Sequence, residues 1–195
     1  MICVKKIRTK IAIANSRANT ILRGFTTNNL DTLSRLFNTY VRPILQYNTY
    51  IWTPSKAKYV NLVENVQRRF TRITLNIRGT HCSYLDRLKF LQLETLELRR
   101  FHFDIIMTFK ILSSFLVLKK DDFFTPARTS ITRSSNNQKL FKPVSGNNFF
   151  ANRVIDSWNS LPNSVVNSRS TATFSRRLRL IPPTSMGFIS KLITG

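Results

Sequence analysis

Hydrophobic positions recur along this chain with the spacing of helices rather than of strands. From Ile7, the residues Ile11, Ala14, Ala18, Ile21, Leu22 and Phe25 hold to one helical face, and a loop from Gly24 to Asn29 ends that run. Asn28, with Asp31 three residues on, reads as an N-cap followed by an acidic third position. It opens a second helix whose apolar face is Leu30, Leu33, Leu36, Phe37, Tyr40, Val41 and Leu45, with Pro43 ending or kinking it. "WTPSKAKY", Trp52 to Tyr59, is a turn. It leads into "LVENVQRRFTRITLNIRG", Leu62 to Gly79, where Leu62, Val63, Val66, Phe70, Ile73 and Ile77 form a continuous stripe while Arg68 and Arg72 sit together on the far side.

A short helix, "YLDRLKFL", and a long one from Leu93 to Leu112 follow, and then the composition changes. Pro126, Pro143, Gly146 and runs of Ser and Asn mark residues 121–148 as a linker, with one short strand expected at "QKLFKPV". Helical order resumes where Phe150, Val154 and Trp158 share a face, closed by Pro162, and a last helix starts from Ser170 with Phe174 and Leu178 four apart. The pattern predicts a mainly α fold: a multi-helix block over 1–120, the linker, a small helical C-terminal unit over 149–182 and a frayed tail over 183–195. Only 5 glycines stand against 15 phenylalanines, which agrees with helices over a turn-rich β architecture. Because the first amphipathic period starts almost at Met1 without a cap or lead-in, the chain reads as a piece of a longer polypeptide.

Charge narrows the partners. Lys and Arg number 31 against 9 Asp and Glu, a formal net charge of +22. Such self-repulsion asks for a polyanion, nucleic acid first and an anionic membrane surface second. In the Leu62 to Gly79 helix Glu64 is the one acidic residue available for i,i+4 pairing, so an outside anion is expected to complete the pairing of its arginines. The apolar window from Ile105 to Leu118 contains Lys110 and falls short of the roughly 20 residues of a membrane span. Lys5, Lys6, Arg8 and Lys10 interrupt any signal-peptide core. Both point to an intracellular chain off the membrane.

Catalytic chemistry finds little to stand on. GxSxG, HExxH and Walker patterns are missing, as is a Gly-rich phosphate cradle. Cys3 and Cys82 form no CxxC pair, and the adjacent His81 and Cys82 lack two further ligands, so neither metal nor other cofactor is expected. Asp121-Asp122 follows Lys119-Lys120 in a loop and reads as a solvated acidic turn rather than as a pair of metal ligands. Trp52 and Trp158, at helical spacing, read as core rather than as base-stacking platforms.

Five segments, "YVRPILQY", "LVENVQRRFTRI", "LQLETLELRRFHFDIIMTFKIL", "TRSSNNQKLFKP" and "NFFANRVIDSWNSLPNSVVNS", occur in an order that resembles the C-terminal part of jockey-like non-LTR retrotransposon reverse transcriptases, the region after the polymerase palm. The resemblance runs from about Ile7 to Leu180. Gln46 stands where that family usually has Glu, Phe109 where it has Tyr, and "VSGNN" replaces a longer basic stretch. The resemblance implies a thumb-like first part that grips the template-primer backbone beside a palm, with endonuclease, fingers, palm and catalytic aspartates all upstream of Met1. It therefore implies a non-catalytic fragment of an RNA-directed DNA polymerase whose partners are RNA or an RNA–DNA duplex and a palm. Alternatives are a decayed mobile-element remnant and a subunit that complements a separate palm. The resemblance and the charge pattern meet at Arg68, Arg69 and Arg72, with Arg99, Arg100 and Lys110 as further phosphate contacts, the first two in competition with Glu97 and Asp104. Six such contacts imply a roughly 10³-fold loss of affinity between 50 and 200 mM salt, with little base selectivity.

Overall fold

In the computed structural model the spacing that begins at Ile7 becomes α1 (Ile2–Gly24). The structure describes residues 2–25, 29–47, 49–52, 56–76, 82–127, 138–143 and 150–192, with the backbone alone for 2–4, 51 and 52. Ile7, Ala14, Ala18 and Ile21 are buried, whereas Phe25, just past the helix, is half exposed. Asn29 caps α2 (Leu30–Leu36), its side-chain oxygen accepting from the amides of Asp31 at 2.9 Å and Thr32 at 3.2 Å. The cap thus falls one position after Asn28, which lies outside the described residues.

Pro43 does not end the run. The helix widens into a π turn, Phe37–Val41, and resumes as α3 (Arg42–Gln46) with Pro43 in its first turn. Proline has no N–H to return to the preceding turn, and the wider turn absorbs the missing donor. Phe37, Val41 and Leu45 remain buried through this change, while Tyr40 turns outward. Lys10 of α1 donates to the carbonyls of Ile44 at 3.3 Å and Tyr47 at 3.0 Å, placing a cation at the C-terminal end of α3.

After α4 (Thr49–Trp52) come α5 (Ala57–Asn76), α6 (Tyr84–Phe90) capped by Ser83, and α7 (Leu96–Leu112). Two compact units form, Met1–Arg100 with Lys191–Gly195, and Phe101–Ser190. The division falls within α7, not at the composition change after residue 120, because Ile105, Phe109 and Ile111 are core residues of the second unit. In the first unit α1 packs on α5, on α3 and on the π turn, α2 packs on the π turn, and their apolar faces share one core in which Phe37 stacks on Phe70 at 4.4 Å.

The second unit is built from the C-terminal part of α7 with α8 (Phe150–Asn159), α9 (Asn163–Val166) and α10 (Thr171–Leu178). Phe174 stacks on Phe109 at 4.1 Å and on Trp158 at 6.0 Å. Among the described residues the strand expected at "QKLFKPV" reduces to one antiparallel bridge, Pro126 to Leu140. Asn159 substitutes for a neighbouring strand by accepting from the Leu140 amide and donating to its carbonyl, both at 2.8 Å. The segment beyond Pro182 is not frayed at its start: Pro183–Met186 form a 3₁₀ turn closed by Gly187 at φ +70°, Met186 is buried and Phe188 packs on Phe101 at 5.0 Å. Sequence reading missed this because a single methionine and a single phenylalanine carry no period. Among the described residues no helix is long and apolar enough to cross a membrane.

Candidate nucleic-acid interface

On α5, Leu62, Asn65, Val66, Arg69 and Arg72 follow one another at intervals of one helical turn or less, and so share a face. That face looks across at Ile11 and Asn15 of α1, and Arg87 of α6 closes one end. Together with Arg68 these residues line a groove of about 530 Å³ within the first unit. Four guanidinium groups border it, and no carboxylate lines it.

Two of the four are held by the protein. The guanidinium carbons of Arg68 and Arg87 lie over the ring of Tyr84, at 4.9 and 5.6 Å from its centre. Arg87 also donates to the Cys82 carbonyl at 2.8 Å and to the Thr71 hydroxyl at 3.4 Å. Arg69 and Arg72 are exposed and have neither a hydrogen bond nor an ion pair among the described residues. Four like charges on one groove repel one another, and an anion relieves that repulsion.

Tyr84 is itself fixed from behind. Its hydroxyl donates to Glu64 Oε1, and the Leu96 amide donates to both Glu64 oxygens at 3.1 and 3.0 Å. Gln67 donates to the Tyr84 oxygen at 3.0 Å and to the Glu94 carbonyl at 3.0 Å, while Arg42 donates to Gln67 Oε1 at 3.1 Å and also to the Glu94 carbonyl. Burial pushes the Glu64 carboxyl above the ordinary range, and the Tyr84 hydroxyl, Arg100 and the amides of Leu96 and Glu97 pull against it. Burial likewise raises Tyr84, reinforced by the Glu64 charge, so its hydroxyl keeps its proton and remains a donor. Desolvation brings Arg42 down to about 10, which leaves it charged at neutral pH. Glu64 is therefore not the acidic member of a solvated face; it is fully buried and caps the N-terminus of α7.

The six sequence candidates separate accordingly. Arg68, Arg69 and Arg72 come together on the groove. Arg99 pairs with Glu94 at 3.6 Å. Arg100 is 3% exposed, with its charge beside Glu64, so it is no surface contact. Of the two carboxylates expected to compete for them, Asp104 holds Arg153 at 2.8 and 3.0 Å, and Glu97 accepts from the Lys191 amide at 3.0 and 3.1 Å. Lys110 belongs to the second unit. Arg87, Asn15 and Asn65 were missed; the i,i+3 spacing of Tyr84 and Arg87 was a usable signal, whereas the approach of α1 to α5 was not readable.

Asp121 and Asp122 are exposed in a 3₁₀ turn, and no group of three or more His, Cys, Asp or Glu side chains among the described residues could hold a metal ion. Cys82 is a half-buried free thiol, His102 is buried, and His81 lies outside the described residues. Trp158 is core, as expected, and the side chain of Trp52 lies outside the described residues. Fold and site thus define a mainly α-helical protein with a cationic groove on its first unit. No family model matches the chain, nor does any curated protein or solved structure.

Proposed function

We propose that this chain grips the backbone of RNA or of an RNA–DNA duplex in the α1–α5 groove, as the non-catalytic, post-palm part of a jockey-like non-LTR retrotransposon reverse transcriptase. The observation that carries the reading is the convergence of Arg68, Arg69, Arg72 and Arg87 on one groove without a lining carboxylate. Arg68 and Arg87, held on Tyr84, act as fixed points; Arg69 and Arg72 are available to take phosphate oxygens in bidentate pairs. The family assignment rests on the order of the five quoted segments in the sequence, and some of these segments contact one another in the fold. Arg42 of "YVRPILQY" bonds Gln67 of "LVENVQRRFTRI", and Trp158 and Asn159 of "VIDSWNSLP" bond Gln138 and Leu140 of "QKLFKP".

With Arg99 paired to Glu94 and Arg100 buried, the salt dependence should be shallower than six contacts imply. The three arginines of α5 alone account for about a 40-fold loss of affinity between 50 and 200 mM salt. Fluorescence anisotropy on a labelled RNA–DNA duplex tests this. The variant with Arg68→Ala, Arg69→Ala and Arg72→Ala should lose that share of the salt slope. Equal binding by the triple variant rejects the groove, and an absence of salt-sensitive binding by the unaltered chain favours the decayed remnant.

A further inference from the structure

We infer that the groove also seats one unpaired nucleobase, so that it takes a single-stranded or overhanging nucleotide in preference to a fully paired one; the inference rests on the nucleic-acid reading above. A surface made for phosphates alone needs a row of cations. This one has an apolar floor as well, formed by Ile11 of α1 with Leu62 and Val66 of α5. Its volume, about 530 Å³, lies within the range of small-molecule sites.

The rim supplies what the edge of a base requires. Asn15 and Asn65 face the groove from opposite helices, and neither side-chain amide has a hydrogen-bond partner among the described residues. An amide offers one acceptor and two donors, the complement of a base edge. The flat, poorly hydrated face of a base covers the aliphatic floor, guanidinium planes at the rim stack on its other face, and Arg69 and Arg72 take the adjoining phosphates. A base held within a duplex presents neither its face nor its pairing edge, which is why the groove distinguishes unpaired from paired strands.

The test uses the full chain with three labelled probes of about twelve nucleotides, within the size range of single-strand sites: a single-stranded RNA, an abasic ribose-phosphate strand of equal length and a blunt RNA–DNA duplex. The RNA should bind about ten-fold tighter than the abasic strand. Asn15→Ala with Asn65→Ala should weaken RNA binding about five-fold and duplex binding distinctly less. Both substitutions put a better helix former at a helical position outside the core, so the fold should persist. Equal affinity for the RNA and the abasic strand overturns the base seat while the phosphate reading stands. Equal weakening toward all three probes by the double variant overturns it as well. Failure of the unaltered chain to bind any of the three overturns both readings.

Discussion

Trp158→Ala is expected to destabilise the second unit by about 4 kcal/mol, within the usual range for removing a buried indole. Trp158 has no exposed surface; its ring lies against Phe174, which is itself stacked on Phe109. Alanine removes one end of that aromatic set and leaves a void bordered by rings too stiff to close it. It also removes the donor to the Gln138 carbonyl at 2.8 Å, a bond that pins the segment carrying the Pro126 to Leu140 bridge. Trp158→Phe separates the two contributions, since the ring largely remains and the N–H is lost; about 1 to 2 kcal/mol is expected. Urea denaturation followed by far-UV circular dichroism reads both variants. A loss below 1 kcal/mol for Trp158→Ala would show that the indole is not a keystone of this unit.

How far the sequence disclosed the protein depended on whether a feature was local. Helix spacing fixes α1, α5, α8 and α10 because each has a stripe of apolar residues at three-and-four intervals, and Ser170 caps α10 where the pattern placed it, accepting from the Thr173 amide at 3.1 Å. The stripe on α5 was nonetheless drawn too narrowly. Its buried face includes Glu64, Gln67, Thr71 and Thr74 beside Val63, Val66 and Phe70. Polar residues on a helical wheel read as solvated, and only tertiary structure reveals that Tyr84, Glu94 and the start of α7 satisfy Glu64 and Gln67. Arg100 was misjudged for the same reason: it is buried, and its charge acts on Glu64 of another helix. Arg68, Arg69 and Arg72 were legible because their proximity follows from one helix, while Asn15 and Arg87 depended on which elements meet.

Glu64 links the interior of the first unit to the groove, and Glu64→Ala is expected to cost about 3 kcal/mol. The substitution strips an acceptor from the Tyr84 hydroxyl and from the Leu96 amide, and a counter-charge from buried Arg100. Tyr84 carries Arg68 and Arg87 on its ring, so its loosening should also weaken nucleic-acid binding. The pH dependence isolates the carboxyl from this packing. Burial raises Glu64 in the folded state above its ordinary value of 4.5, so the native protein holds that proton more tightly than the unfolded chain does. Its contribution is complete below pH 4.5 and declines as pH rises through the raised value, the reverse of a carboxylate stabilised by a salt bridge. Glu64→Gln stays uncharged throughout, so the stability of the unaltered protein minus that of Glu64→Gln should fall with rising pH from 4.5 upward. Tyr84→Phe removes the strongest opposing interaction on that carboxyl and should carry the decline to higher pH. Thermal melts from pH 4 to 8 on the three proteins read the difference. A gap that widens with pH would mean that the Tyr84 hydroxyl, the α7 amides and Arg100 together outweigh the burial of the charge.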